Sequence, residues 1–178
     1  MLNQTTIKKE VQISGIGLHT GVNSTAIFKP APKNFGVRFK RLDLKNCPEI
    51  VADIDHVIDI SRGTTIGQNN CKIHTVEHIL SAVYGLEINN LLIELTEKEP
   101  PVMDGSARPF VDILLSAGIQ TQDVIQNELI IDQTITYSEP DRGVDIHILP
   151  SDKFRITFMT DYNVHPLGTQ YTAMYSLK

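Results

Sequence analysis

Two histidines, a glutamate and a serine fall within one amphipathic stretch, His74-Thr75-Val76-Glu77-His78-Ile79-Leu80-Ser81-Ala82-Val83-Tyr84-Gly85-Leu86. An imidazole beside a carboxylate is the minimum set for metal-activated water: neutral imidazole ligates zinc, and a glutamate that does not ligate takes the proton from the water. Val76, Ile79, Leu80 and Val83 recur at the i, i+3, i+4, i+7 spacing of a core-facing helix, with Gly85 at its stop. At 100° per residue, His74, His78 and Ser81 fall opposite that stripe, with Glu77 on its edge. The same pattern also fits an ordinary solvated face, and two of six histidines can fall together by chance. The rest of the chain has to decide between the two.

The elements that would position this helix come in a simple order. Residues 5–13 alternate polar and apolar side chains and predict a strand. Ser14-Gly15-Ile16-Gly17-Leu18-His19-Thr20-Gly21 then packs three glycines into eight residues, a close-approach turn with His19 at its tip. Its GxG is a poor nucleotide signal, because no strand-loop-helix unit surrounds it. Residues 25–28 predict a second strand, stopped by Pro30-Ala31-Pro32, and Phe35, Val37 and Phe39 alternate on a third. Residues 51–60 read as strand and residues 61–70 as a loop with a short extended piece.

After the helix, residues 90–96 predict a strand ended by Pro100-Pro101, and Asp104-Gly105-Ser106 supplies turn and cap chemistry for a second helix. Pro109 suits its first turn, Phe110, Val111, Leu114 and Leu115 its buried stripe, and Gly118 its end. Strands, helix, strand, helix make an α+β domain over residues 1–122.

The chain then restarts. After a polar hinge, Gln120-Thr121-Gln122-Asp123, residues 128–137 predict a strand, and residues 144–158 echo residues 25–39: a strand, a proline turn with a lysine, and a returning strand of alternating aromatic and aliphatic residues. The fold class expected is therefore α+β, two similar sheet-plus-helix domains in tandem, with residues 123–178 the start of a second, truncated one holding strands only. Strands around Phe154-Ile156-Phe158 and Tyr171-Ala173-Tyr175 would leave an apolar face uncovered, open to self-association. A zinc site usually needs three protein ligands, and the helix supplies one or two, so the others are expected on the helix this second repeat lacks.

Composition bounds the remainder. A chain of 178 residues with 41% hydrophobic content can bury a real core. No run approaches the ~20 apolar residues of a membrane span. The N-terminus lacks a basic segment followed by an apolar one, so a cytoplasmic location is expected. Cys47 and Cys71, without CxxC spacing, read as free thiols of a reducing compartment. A formal charge of -5 with scattered basic residues argues against a nucleic-acid binder.

Four ordered motifs, Gly15-Ile16-Gly17-Leu18-His19-Thr20-Gly21, Pro30-Ala31-Pro32 with Gly36, Arg41 and Asp43, Thr75-Val76-Glu77-His78, and Pro101-Val102-Met103-Asp104-Gly105-Ser106-Ala107, closely resemble the UDP-3-O-acyl-N-acetylglucosamine deacetylases, from about residue 6 to residue 170. The resemblance implies a zinc-dependent hydrolase of lipid A (lipopolysaccharide) biosynthesis in Gram-negative bacteria, built from two similar α+β domains with the active site between them. It implies His78 as a zinc ligand and Glu77 as general base. It further implies Thr65, Ile66 and Gly67 lining the site near acyl group and metal, and His19 close by. The family's other zinc ligands, a second catalytic histidine, and the lysine and hydrophobic passage that hold the substrate correspond to sequence beyond Lys178. Zinc would polarise the acetamide and lower the pKa of its bound water towards about 7, while Glu77 takes the proton and a general acid protonates the leaving amine. A chain with only Glu77 and His78 is then expected to be an inactive fragment.

Two rivals remain. His74-Thr75-Val76-Glu77-His78 fits the H-x-x-E-H motif of certain metalloproteases, in which both histidines bind metal. That reading fails if Thr75 caps the helix and leaves His74 outside it. The other rival is a non-catalytic module binding a nucleotide sugar or another protein.

Overall fold

The structure, a computed structural model, describes residues 2–46 and 48–176. The strand expected over residues 5–13 is two strands, β1 (Asn3–Ile7) and β2 (Val11–Ile16), because the consecutive charged residues Lys8, Lys9 and Glu10 are all exposed and interrupt the alternation. Beyond the glycine loop, β2 pairs antiparallel with β3 (Asn23–Pro30), which buries Ser24, Ala26 and Phe28 on one face with the period of two that a half-buried strand requires. β4 (Val37–Arg41) and β5 (Ile50–Val51) follow.

Residues 51–70 differ from expectation. Asp53 accepts from the His56 amide at 3.1 Å and caps a single 3-10 turn, Ile54–His56, so the chain re-enters a strand only at β6 (Val57–Asp59). The short extended piece expected within residues 61–70 is β7 (Thr65–Gln68), which turns through Asn69, left-handed at φ 54°, into β8 (Cys71–Ile73). These form a three-stranded sheet in the order β6-β7-β8.

The first helix, α1, is Glu77–Gly85. Ile79, Ala82 and Val83 are its fully buried residues and Leu80 is half-buried, so the predicted stripe holds. The stop lies beyond Gly85. Glu87 takes the left-handed conformation at φ 55°, its amide donates to the Tyr84 carbonyl and the Ile88 amide to Val83, the paired bonds of a Schellman end.

β9 (Leu91–Leu95) then enters the centre of a five-stranded sheet, β2-β3-β9-β4-β5, parallel to β4 and antiparallel to β3. α2 (Arg108–Ala117) closes the core, with the Phe110 ring edge-on to Phe28 at 6.4 Å between centroids. Its buried stripe is Phe110, Leu114 and Ala117; Leu115, expected inside, is 53% exposed because Ala117 takes the inward position one turn after Leu114.

The expected hinge at residues 120–123 is instead part of β10 (Ile119–Ile125), whose backbone pairs with β1. The chain divides after it into two units, Met1–Gln126 and Asn127–Lys178. The second unit holds two antiparallel pairs: β11 (Ile135–Glu139) with β12 (Val144–Ile148), and β13 (Ile156–Asp161) with β14 (Thr169–Met174). None of its described residues is buried. The strand expected over residues 128–137 begins only at Ile135. The architecture is α+β, several sheets with two helices.

No helix among the described residues is long and apolar enough to cross a membrane. The free-thiol expectation is corrected at Cys71, which is buried and disulfide-bonded; Cys47 lies outside the described residues.

Candidate functional site at the start of the first helix

Glu77 is the first residue of α1, where the helix dipole favours a carboxylate. Its Oε2 accepts from the Thr64 amide at 2.9 Å, which ties the helix start to the loop that leads into β7. Gly63 lies directly over the other oxygen: a Cβ added there would stand 2.9 Å from Glu77 Oε1. The neighbouring His78 is half-buried on the same first turn.

The expected N-cap is displaced by one residue. Val76 is the N-cap and makes no side-chain cap bond, while Thr75 is buried with φ 56°, a left-handed conformation rare for a β-branched residue. Its hydroxyl is drawn away from the helix and donates to Glu99 Oε1 at 2.8 Å. His74 therefore lies outside α1. Its Nδ1 meets the Thr65 hydroxyl at 3.0 Å, and its amide donates to the Lys98 carbonyl. The helical placement of His74 opposite the core stripe is corrected accordingly, and with it the i, i+4 pair that an H-x-x-E-H metalloprotease needs. Burial, followed by the Lys98 ammonium, holds the His74 pKa below its usual 6.5 against the pull of Glu99.

A cleft of about 440 Å³ opens beside this region, lined among others by His19, Arg62, Gly63, Thr65, His74 and Lys98. His19 and Thr65, predicted together, share it. The His19 Nε2 lies 3.1 Å from the Arg62 carbonyl; a carbonyl only accepts, so Nε2 is the donor of this bond. Ile66 is different. It is 1% exposed and belongs to the hydrophobic core, with Ile73 opposite it across the β7-β8 pair. Gly67 is buried beneath Ile58, where an added Cβ would come within 2.6 Å of Ile58 Cδ1.

The residue missed by sequence reasoning is Glu99. It is 0% exposed and accepts from the Thr75 hydroxyl, the Thr20 amide at 2.9 Å and the His19 amide at 3.0 Å. Burial pushes its pKa up, but these hydrogen bonds outweigh burial and hold it below the ordinary 4.5. Its partners lie 24, 79 and 80 residues away, so no local pattern marks it. Asp104 and Ser106 do act locally: Asp104 accepts from the Ser106 amide, and Ser106 Oγ from the Arg108 amide at the start of α2.

Among the described residues, no three His, Cys, Asp or Glu side chains are gathered to hold a metal ion. Zinc ordinarily takes at least three protein ligands, so the residues in hand do not fit it by themselves.

The model of the UDP-3-O-acyl N-acetylglycosamine deacetylase family matches residues 4–177. The chain belongs to that family. It is 52% identical over 177 residues to the bifunctional enzyme LpxC/FabZ of Chlorobaculum tepidum, covering 99% of this chain and 38% of that one. It is 40% identical over 167 residues to the UDP-3-O-acyl-N-acetylglucosamine deacetylase of Saccharophagus degradans, covering 94% and 54%. For the protein of that name from Coxiella burnetii the identity is 39% over 171 residues, covering 96% and 55%. The chain thus spans 38% to 55% of the length of these relatives.

Proposed function

We propose that this chain is part of a zinc-dependent amide hydrolase that removes acetate from UDP-3-O-acyl-N-acetylglucosamine in the cytoplasm of a Gram-negative bacterium, a step of lipid A biosynthesis. The observation that carries the reading is the family match with Glu77-His78 at the start of a helix and the Glu77 carboxylate anchored by the Thr64 amide. Relatives named as deacetylases of this substrate support it. The tandem arrangement of two similar domains is part of the same reading, with the boundary moved from the expected residue 122 to the end of β10. Its support is the echo of residues 25–39 in residues 144–158.

The roles assigned to this chain's own residues follow from their chemistry. Glu77, at the helix start, accepts a proton as water attacks the acetamide carbonyl. The Thr64 amide fixes Oε2 and so the direction in which the carboxylate presents itself. His78 is the residue offered to zinc. Two further ligands have to come from outside the residues described, and this chain alone is proposed to be inactive. His19 and Thr65 bind substrate from the cleft they share; Ile66 and Gly67 act on it from beneath, as the packed floor that holds Thr65 in place.

The test has two arms. Elemental analysis of the 178-residue chain after dialysis is expected to find little zinc in the wild type, Glu77→Ala and His78→Ala alike; near-stoichiometric zinc lost in His78→Ala overturns the incomplete-site reading. In the polypeptide as its native source makes it, acetate release from the substrate is expected to fall roughly 10²- to 10⁴-fold in Glu77→Ala, the usual weight of a general base. Absence of acetate release by the wild type sinks the deacetylase reading.

A further inference from the structure

Glu99 joins three segments that are distant in sequence. One carboxylate accepts from the His19 and Thr20 amides in the glycine loop and from the Thr75 hydroxyl two residues before Glu77. The loop is fitted to it: a Cβ on Gly17 would lie 2.7 Å from Glu99 Oε2 and 2.4 Å from Thr20 Oγ1, so only glycine leaves room. The helix lead-in is bent to it as well. Thr75 is held at φ 56°, a conformation that costs a β-branched residue free energy and persists only where its surroundings impose it. The Val76 amide, next in line, donates to the Thr64 carbonyl at 3.2 Å, while the Thr64 amide holds Glu77. Glu99 is thus the shared anchor of the His19 loop and of the peptide that starts α1.

A carboxylate that is 0% exposed needs such donors merely to be buried, and packing alone does not call for it. What the three donors accomplish together is a fixed spacing. His19 Nε2 reaches the Arg62 carbonyl across the cleft, one residue before Gly63, whose own backbone covers the Glu77 carboxylate. The loop, the Arg62–Thr64 segment and the helix start close a ring, and Glu99 is its buried member.

We propose that Glu99 is a positioning residue: it holds the His19 imidazole at a set distance from the Glu77-His78 end of α1, and so acts on the reaction through His19. The kinetic consequence rests on the deacetylase reading above; the geometry does not.

Two readouts test it on the polypeptide as its native source makes it, comparing wild type, Glu99→Gln, His19→Ala and the double variant. Glutamine keeps the shape but turns an NH2 group towards donors. Glu99→Gln is expected to lower kcat/KM about 100-fold, the scale of a misplacement near 1 Å, and His19→Ala should cost little more in that background. Additive losses, or none, overturn the proposal. The second readout needs no turnover. In 15N-resolved imidazole spectra, Glu99→Gln is expected to shift both His19 ring nitrogens while those of His56 and His147 stay in place; unchanged His19 signals overturn it. A wild type without deacetylase activity removes the reading of function but leaves this spectroscopic result decisive. If Glu99→Gln does not fold, Thr75→Val, which keeps shape and removes one donor, carries the same expectations in both readouts.

Discussion

Around Glu77 a single atom decides which residue each position can hold. Gly63 sits at φ 146°, and a methyl group there would stand 2.9 Å from Glu77 Oε1. Gly63→Ala is expected to lose about 1–3 kcal/mol through backbone strain and to displace Glu77. The denaturation midpoint should fall, and the Thr64 amide resonance should move as its acceptor shifts; an unmoved resonance sinks the idea. Glu99 makes a pH prediction of its own. Its folded-state pKa is below the ordinary 4.5, so the unfolded chain binds that proton more readily. The stability it contributes is complete above pH 4.5 and is lost as pH falls through the lower folded value. The difference in unfolding free energy between wild type and Glu99→Gln should therefore be constant near neutrality and shrink with acidification below 4.5. A difference that grows in acid would contradict the assignment. The Glu77-His78 pair was legible in the sequence because its neighbours carry helical periodicity. Glu99 was not, because its meaning lies in donors up to 80 residues away.

For the helices, periodicity located each element and packing set its exact phase. α2 shows the difference. Leu114 and Leu115 are chemically identical in the sequence, yet Leu114 is 0% and Leu115 53% exposed. Leu114→Ala is expected to cost about 2–5 kcal/mol as a core truncation, whereas Leu115→Ala should stay within ~0.5 kcal/mol. Urea melts of the two variants would check this, and similar costs would show the helix turned from the phase described. α1 was found within three residues of its observed start, but its N-cap was not. As an N-cap the Thr75 oxygen would have accepted from the helix amides; instead the hydroxyl is turned away from them to donate to the buried Glu99 carboxylate, because an unpaired buried charge is far costlier than an uncapped helix end. The short extended piece read within residues 61–70 is β7, but its place in a sheet was not legible, because that is set only by its partners β6 and β8.

At the scale of the molecule, the two units differ in how they bury apolar surface. Among the described residues, the fully buried apolar side chains of the core all come from residues up to 117, whereas residues 127–176 have none buried and expose Phe158 at 63%, Met159 at 69% and Tyr171 at 78%. Isolated two-stranded pairs are marginal in water, and such a surface seeks a cover. The 178-residue chain is expected to self-associate, seen as a concentration-dependent sedimentation coefficient, and Phe158→Asp should weaken it; a concentration-independent monomer would remove the expectation. What the sequence determined by itself was the local grammar: the α+β class, both helices, the strand at β9, and a family likeness carried by motifs of contiguous residues. These follow from periodicity and from glycine and proline chemistry within a few residues. Tertiary structure alone decided that the hinge at residues 120–123 is a strand against β1, that Ile66 is core, that His74 leaves the helix, and that Glu99 binds three segments together. Each of those depends on a partner distant in the chain, and pairing across such distances has no local periodicity to announce it.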